Sequence, residues 1–399
     1  MRQNPVIVVP AYQREKSLER LLNSLLAADL SDCPKIVISI EGNAPSEVMV
    51  VAEAFAAKVS LCDVRQQPAR LGLRQHILAC GDLALEYGSV IVLEDDLWVD
   101  RHFYRYATSA LAFYEGQPKI AGIALYGPQL NEYAGLPFSP MNNGYSTYFM
   151  QIPCSWGQAW SADQWQAFRN WYDQASEPDV QNVRTLPQNV KDWPESSWKK
   201  YFAAYMVLAD QTFVYPYLAY STNCSDPNGT HIQAGSDRFQ VPLSAQGRPM
   251  EALDFCPSCD DLVAYDPFYE AVGASVFEDL ELDPEDIEVD TYGSKPVELL
   301  QEKRLVLTSR PVATEDIHRS HPLAFRPVES NLGFQTSGHH RGGLHIVEST
   351  RLRERGSPPS LDQISYFFDI NMRSLRTLLK VLLALPGTLA DRIKTRFRH

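Results

Sequence analysis

Three consecutive carboxylates follow a short apolar run in the first third of the chain. Residues 90–93 are apolar and mostly β-branched, and they lead directly into Glu94, Asp95 and Asp96. Such a run is typical of a buried parallel strand, and ligands of parallel sheets bind beyond the carboxyl ends of the strands. Adjacent carboxylates repel one another, and Mg²⁺ or Mn²⁺ relieves that repulsion. The sequence therefore predicts a metal site here. The alternative is an ordinary acidic loop or helix N-terminus.

Polar residues also follow two other apolar runs near the N-terminus. Residues 6–9 lead into the segment 10–14, which ends in Arg14, and residues 36–40 lead into Glu41 and Gly42. Both runs have the composition of buried strands. The pattern therefore places a second acid, Glu41, at the carboxyl end of a predicted strand.

The segments between these strands have helical periodicity. Leucines recur at helical spacing from Leu18 to Leu26, and residues 46–58, 71–87 and 103–115 also read as helices. Strands alternating with helices predict βαβ units, right-handed crossovers and a mainly parallel sheet flanked by helices, which is an α/β fold. Further strands are predicted at residues 59–64 and 120–125.

Composition narrows the class of protein. The 399 residues are 45% hydrophobic and 21% charged, as in ordinary globular enzymes, and the net charge of −13 argues against a general nucleic-acid binder. The seven cysteines are scattered apart from Cys256 and Cys259, whose spacing alone favours a thiol-containing loop over a zinc site. The apolar run near the N-terminus is too short for the hydrophobic region of a signal peptide. Together with reduced cysteines, this predicts a cytoplasmic location.

Changes in composition divide the chain into three predicted segments. Residues 1–235 carry the strand–helix alternation, residues 236–350 are richer in proline and acids and are predicted to form a less regular module, and residues 351–399 form a basic tail. Residues 371–399 hold seven lysines and arginines against one aspartate, beside leucines at helical spacing. This pattern predicts peripheral contact with a membrane surface, and the alternative is a helix docked on the acidic body.

Taken together, these motifs resemble nucleotide-sugar glycosyltransferases of the GT-A fold, particularly the N-acetylglucosaminyltransferase I group and bacterial family 2-like transferases. The resemblance covers roughly residues 5–231. The motifs that carry it are Pro5 to Arg14, Glu41-Gly42, Val92 to Asp96, Trp156-Gly157-x-x-Trp160, Trp198, Tyr215-Pro216 and Asn223 to His231.

The resemblance implies a role for each motif. Asp96 would bind Mn²⁺ or Mg²⁺ at the donor diphosphate, and Asp95 would bind the same ion or face the donor sugar or ribose. Glu41 would face the base or ribose. The other residues implied in binding the nucleotide-sugar donor are Pro10, Ala11, Tyr12, Arg14, Arg70 and His231.

The sequence indicates the general base less clearly than it indicates the donor-binding residues. The family places an aspartate shortly before a tryptophan, and in the matching stretch before Trp198 this chain has Ser196. Glu195 is adjacent and long enough to reach an acceptor hydroxyl, so it is the first candidate, followed by Asp192. Asp226 is a further candidate if neither of these reaches.

The function that the resemblance implies is metal-dependent, inverting transfer of a sugar to a glycan or glycolipid acceptor in bacterial surface-glycan synthesis, with a UDP-sugar favoured as donor. One alternative is a sugar-nucleotide nucleotidylyltransferase, although the segment 10–14 lacks the glycines of its phosphate loop. Another is a non-catalytic sugar- or nucleotide-binding protein on a decayed transferase fold, which Ser196 would favour.

Overall fold

The computed structural model describes residues 4–226, 238–243, 252–257, 263–334, 342–353, 360–370, 374–380 and 382–383. They form two compact units. Unit 1 comprises residues 1–133 and 140–275, and unit 2 comprises residues 134–139 and 276–399. The boundaries of these units differ from those of the three segments predicted from composition. That three-part division of the chain stays a prediction. No described helix has both the length and the apolar character needed to span a membrane.

The described strands, in chain order, are β1 (Val6–Ala11), β2 (Ile36–Ile40), β3 (Cys62–Gln66), β4 (Ser89–Val92), β5 (Leu97–Val99), β6 (Ile120–Ala124), β7 (Leu130–Asn131), β8 (Leu136–Pro137), β9 (Thr147–Met150), β10 (Gln158–Ser161), β11 (Thr212–Pro216), β12 (Ser221–Asn223), β13 (Ala264–Tyr265), β14 (Ile287–Asp290), β15 (Leu305–Thr308), β16 (Ile317–His321) and β17 (Leu344–Glu348).

The described helices are α1 (Glu15–Ala27), α2 (Ser46–Ala56), α3 (Leu73–Tyr87), α4 (Phe103–Phe113), α5 (Ala162–Tyr172), α6 (Glu177–Gln181), α7 (Gln188–Lys191), α8 (Trp198–Leu208), α9 (Ala274–Leu280), α10 (Val297–Leu300) and α11 (Leu361–Phe368). The described 3₁₀ helices are Thr314–Asp316, Val328–Asn331 and Ser349–Arg351.

Unit 1 is built on one nine-stranded sheet in the order β13-β9-β11-β6-β10-β4-β1-β2-β3. Strands β4, β1, β2 and β3 run parallel, as do β6 with β11 and β9 with β13, whereas β10 runs antiparallel between β4 and β6. The predicted α/β fold, with a mainly parallel sheet flanked by helices, is confirmed. Every residue of β1, β2 and β4 is buried, which explains their continuous apolar runs.

The third predicted strand lies further along the chain than its apolar residues indicate. The sequence predicts residues 59–64, whereas β3 spans Cys62–Gln66 and pairs in parallel with β2. Val59 lies in the turn that follows α2, where its N–H donates to the carbonyl oxygens of Phe55 and Ala56 at 3.1 and 3.3 Å. Val59 packs on the core, so its apolar character reflects side-chain burial and not a place in the strand.

Unit 2 contains a four-stranded sheet in the order β14-β15-β17-β16. Its first pair is parallel and the other two are antiparallel. The buried carboxylate of Asp290 accepts hydrogen bonds from Arg310 Nε at 2.7 Å, Thr308 Oγ1 at 3.2 Å and the Lys295 N–H at 2.9 Å. These contacts satisfy the charge of Asp290 within the unit, which is the usual arrangement for a buried acid in a structural role.

Candidate functional site

The acidic cluster lies where the sequence places it, directly beyond the carboxyl end of β4. Asp95 and Asp96 are only 6% and 8% exposed, although each carries a carboxylate. Burial raises the pKa of Glu94 to about 8, with the charge of Asp96 adding to the effect, and burial also raises the pKa of Asp95 to about 7. The charged forms of these acids are therefore disfavoured by burial, and positive charge nearby would stabilise them.

Arg14 supplies part of that charge. It follows β1, which lies beside β4 in the sheet, so the carboxyl ends of the two strands are neighbours. Arg14 Nη1 donates to Asp96 Oδ2 at 2.9 Å, and Nη2 donates to Asp95 Oδ1. Burial disfavours the charged guanidinium, but the attraction of Asp95 and Asp96 outweighs that effect and raises the pKa of Arg14. One planar guanidinium thus bridges both carboxylates.

The same carboxylates have the chemistry of a divalent-cation site. Oδ1 of Asp96 is buried and has no hydrogen-bond partner in the described part of the chain, so one oxygen remains available for an additional ligand. Carboxylate oxygens are the ligands that Mg²⁺ and Mn²⁺ prefer. Within the described residues no three His, Cys, Asp or Glu side chains converge on one metal position. Asp95 and Asp96 therefore fit a cation that takes its remaining ligands from a substrate or water.

The loop after β12 brings a fourth acid to this edge of the sheet. Strand β12 pairs with β5, and the Cys224 N–H then donates to the Asp96 carbonyl oxygen at 2.9 Å. Asp226 accepts hydrogen bonds from Ser17 Oγ at 2.6 Å and from Arg20 Nη1 at 2.9 Å, and the bond from Arg20 lowers the pKa of Asp226. Asp226 is therefore held as a charged carboxylate.

Sequence reasoning missed Ser17 and Arg20. Their spacing offers a signal, because Arg14, Ser17 and Arg20 recur every three residues where α1 begins. Residues three apart lie close to one face of a helix. The polar face of α1 could therefore have been assigned to the same edge of the sheet as the acids.

Glu41 and Gly42 hold the loop that joins β3 to α3. The Glu41 carboxylate accepts hydrogen bonds from the N–H groups of Leu71 at 2.7 Å, Gly72 at 2.8 Å and Gly42 at 3.0 Å. A Cβ on Gly42 would lie 2.1 Å from the carbonyl carbon of Ala69, so only glycine fits beside this loop. The role observed for Glu41 is thus to fix the loop, and its predicted contact with the base or ribose stays a prediction.

That loop carries Arg70 to the segment after β1. The Arg70 guanidinium carbon lies 5.5 Å from the centroid of the Tyr12 ring, which is cation–π geometry. Pro10 and Ala11 are the buried last residues of β1 and set the direction of Tyr12 and Arg14. The structure thus brings Tyr12, Arg14, Arg70, Asp95 and Asp96 together through neighbouring strands. Arg74 has a different partner, because its guanidinium carbon lies 4.9 Å from the centroid of the Tyr201 ring.

The predicted base candidates lie in the segment between α7 and α8, and both are exposed. Asp192 accepts a hydrogen bond from Gln188 Nε2 at 2.9 Å. Glu195 makes no hydrogen bond or ion pair with any residue that the structure describes, so its carboxylate is the less constrained of the two. His231 lies outside the described residues.

Comparison with protein-family models and with curated proteins finds no match. Among solved structures, the chain is similar to the mannosyltransferase PcManGT from Pyrobaculum calidifontis in complex with GDP-Man and Mn²⁺. The identity is 11%, the TM-score is 0.37, and the match covers 58% of this chain and 59% of that chain.

Two further structures have similar scores. S. aureus TarS 1-349 in complex with UDP-GlcNAc is 16% identical with a TM-score of 0.39, and the match covers 59% of this chain and 62% of that chain. GalNAc-T7 with UDP, GalNAc and Mn²⁺ is 12% identical with a TM-score of 0.38, and the match covers 54% and 43% of the two chains. The match spans less than two thirds of the length of each of these three structures.

The role of Glu41 predicts a stability effect. Glu41→Gln removes the charge that three N–H groups share and turns an amide donor toward them, so we expect the free energy of unfolding to fall by about 1–3 kcal/mol. Urea denaturation measures this loss. Glu53→Gln, an exposed change of the same chemistry on α2, is the control and should stay within about 0.5 kcal/mol of the parent. Equal effects of the two changes would refute the structural role of Glu41.

Proposed function

We propose that this chain is a metal-dependent glycosyltransferase that moves a sugar from a nucleotide-sugar donor to a hydroxyl of an acceptor. The observation that carries the proposal is the joint placement of Asp95, Asp96 and Arg14 at the carboxyl ends of β4 and β1. Carboxylates that can hold a cation and an arginine that can bind phosphate are the groups needed to bind a nucleoside diphosphate and stabilise its departure.

Each residue then has a role in binding the donor. Arg70, which is exposed, and Tyr12, which is half-buried, form a rim on which a nucleotide can stack or pair. Arg14, which bridges Asp95 and Asp96, would place its positive charge near the phosphate oxygens. Asp96 would bind the cation through its free Oδ1, and Asp95 would share that ion or orient the sugar or ribose. A bound Mn²⁺ or Mg²⁺ would stabilise the negative charge that develops on the leaving diphosphate. UDP-sugars are the favoured donors.

The proposed reaction is direct displacement with inversion at the anomeric carbon. The bond from that carbon to the acceptor oxygen forms as the bond to the diphosphate oxygen breaks. The hydroxyl proton passes to a general base, and the nucleoside diphosphate leaves with the bonding electron pair. Glu195 is the first candidate for the base because it has no competing partner among the described residues, and Asp192 is the second.

Thermal shift with UDP-, GDP- and CDP-sugars, each with and without Mn²⁺, tests the proposal directly. A true donor at 100 times its Kd should stabilise the folded protein by about 2.7 kcal/mol. Mass analysis of products with mixed glycan acceptors then separates a transferase from a binding protein. Donor binding without any product would favour the second candidate, a non-catalytic nucleotide-sugar-binding protein, which Ser196 in the expected base position favours.

We further propose that the enzyme builds a bacterial surface glycan at the inner face of the membrane. Residues 375–380 and 382–383 are helical, and Leu375, Leu379, Leu382 and Leu383 expose between 58% and 84% of their surface. Exposed leucines beside basic residues are typical of helices that lie in a membrane interface. Arg376 and Lys380 are on this helix, whereas Arg392, Lys394, Arg396 and Arg398 lie outside the described residues.

The metal assignment predicts the behaviour of Asp96→Asn. The amide removes the charge and one oxygen ligand, so Mn²⁺-dependent binding of the nucleotide and sugar transfer should fall at least 100-fold. Isothermal titration with UDP in the presence and absence of Mn²⁺ measures the first, and product mass measures the second. Asp32→Asn is the control, because it makes the same chemical change at an exposed position between α1 and β2. Unchanged Mn²⁺ dependence in Asp96→Asn would remove the metal assignment.

The base assignment predicts a loss of rate without a loss of donor affinity. Glu195→Gln should lower kcat by about 10²–10⁴-fold and leave the donor Kd within about twofold, because a general base acts on the acceptor hydroxyl. Asp192→Asn is the matched comparison. If Asp192→Asn loses rate while Glu195→Gln keeps it, the base lies three residues upstream.

The tail predicts membrane binding that depends on charge. Each lysine or arginine near an anionic surface contributes about 1 kcal/mol, so the full chain should sediment with anionic vesicles at low salt and be released at high salt. Truncation after residue 370 should abolish sedimentation while donor binding persists. The combined substitutions Leu375→Ser, Leu379→Ser, Leu382→Ser and Leu383→Ser test the apolar contribution to membrane binding separately. A full-length chain that ignores anionic vesicles at low salt would instead favour a tail docked on the protein itself.

A further inference from the structure

A buried histidine contacts the groups that hold the loop between β3 and α3. The loop comprises residues 67–72 and carries Arg70, whose guanidinium lies against the ring of Tyr12. His76 is in the first turn of α3, and only 5% of its surface is exposed. The proposed donor site uses this loop through Arg70 but gives His76 no role.

The start of the loop is held through Ser39. The N–H of Gln67 donates to the Ile40 carbonyl oxygen at 2.8 Å, and its side-chain Nε2 donates to Ser39 Oγ at 3.0 Å. The same Ser39 oxygen lies 2.8 Å from His76 Nε2, which is hydrogen-bonding distance. Ser39 is only 3% exposed, so these hydrogen bonds form in surroundings of low dielectric, where they are stronger. His76 therefore fixes the side chain that anchors the first residue of the loop.

The end of the loop is held through Glu41. Its carboxylate accepts hydrogen bonds from the N–H groups of Leu71 and Gly72. His76 Nδ1 lies 3.9 Å from Glu41 Oε2, and the backbone N–H of His76 donates to the Gly72 carbonyl oxygen at 2.9 Å. The two nitrogens of one imidazole ring thus face the two side chains that anchor the loop, Ser39 at its start and Glu41 at its end.

The ring supports Glu41 without cancelling its charge. Burial lowers the pKa of His76, and the nearby charge of Glu41 opposes that effect only in part. The imidazole is therefore neutral at pH 7, and the carboxylate keeps its negative charge for the N–H groups of the loop. A lysine or arginine in the same place would form an ion pair with Glu41 and compete with those N–H groups.

These anchors determine where Arg70 lies. It follows Ala69, whose carbonyl carbon would be 2.1 Å from a Cβ on Gly42, so the backbone of the loop packs closely on the segment after β2. The guanidinium carbon of Arg70 then lies 5.5 Å from the centroid of the Tyr12 ring. Displacement of the loop would move Arg70 away from Tyr12. It would leave Arg14 in place, because the acidic cluster holds that guanidinium.

We propose that His76 is a positioning residue for the nucleoside end of the donor. It holds the two anchors of the loop, and the loop holds Arg70 against Tyr12. This inference rests on the proposed glycosyltransferase function, in which Arg70 and Tyr12 bind the nucleoside, while Arg14 and the acidic cluster bind the diphosphate. It adds that affinity for the nucleoside depends on His76, a buried residue that does not itself contact the donor.

The test compares a nucleotide with the diphosphate alone, using the full chain and Mn²⁺. UDP, GDP and CDP are titrated calorimetrically, and the nucleotide that binds most tightly is compared with inorganic pyrophosphate. His76→Leu should weaken binding of that nucleotide about tenfold or more and leave pyrophosphate binding within about twofold, because only the nucleoside contacts the loop. His76→Gln keeps a hydrogen-bonding group for Ser39 and should bind the nucleotide within about threefold of the parent.

A second variant and a second measurement guard against a folding defect. Ser39→Ala removes the hydroxyl that joins His76 to the loop, and it should show the same difference between nucleotide and pyrophosphate. In the free protein, hydrogen–deuterium exchange at residues 67–72 should be faster in His76→Leu, because the last two N–H groups of the loop lose a fixed acceptor. His318→Leu makes the same change at an exposed position in β16 of unit 2 and should alter neither measurement.

The outcomes separate this inference from the proposed function. Equal effects of His76→Leu on nucleotide and pyrophosphate binding, or unchanged exchange of the loop, would overturn the positioning role, while the transferase proposal would stand on the binding shown by the parent. If the parent binds none of the three nucleotides, the transferase proposal fails. Faster exchange of the loop in His76→Leu would then still support the hold of His76 on the loop, and unchanged exchange would overturn it.

Discussion

The site depends on the neutralisation of buried carboxylates by Arg14. Asp95 and Asp96 are almost fully buried, and an unpaired buried charge would destabilise the fold by several kcal/mol. A single guanidinium bridges both, so the segment after β1 and the segment after β4 are fixed to one another. Burial nevertheless keeps the pKa of Glu94 and Asp95 raised, because desolvation outweighs the attraction of Arg14. A further positive charge at the cluster would stabilise the ionised carboxylates, which is the physical basis for expecting a cation.

This constraint extends outward through loops that are held by backbone hydrogen bonds. Glu41 fixes the loop before α3, Gly42 permits its close approach, and Arg70 on that loop reaches Tyr12. On the other side, pairing of β12 with β5 places Asp226 against Arg20. Arg14 and Arg20 each contact an acid at this edge of the sheet, whereas Arg70 contacts the Tyr12 ring. Such pre-organisation lets a charged ligand bind without a large cost of ordering the loops.

The sequence could predict those parts of the molecule whose structure depends on residues that are close together in the chain. Strands β1, β2 and β4 are buried on both faces, so their composition alone identifies them, and the acids that follow them must lie at one edge of a parallel sheet. The antiparallel position of β10 between β4 and β6, and the pairing of β12 with β5, depend on contacts between residues far apart in sequence. Arg20 was missed for the same reason, since its partner Asp226 is 206 residues away.

The aromatic-rich segment was harder to interpret because its residues have ordinary local roles. Trp193 occurs in a segment whose aromatic density is equally typical of a core, and neighbouring Trp160 and Trp165 are indeed fully buried. Concentrated charge at strand ends leaves a sequence pattern, because adjacent acids after an apolar run are visible in composition and spacing. Contacts that depend on shape and on a few hydrogen bonds between residues far apart in the chain leave almost none.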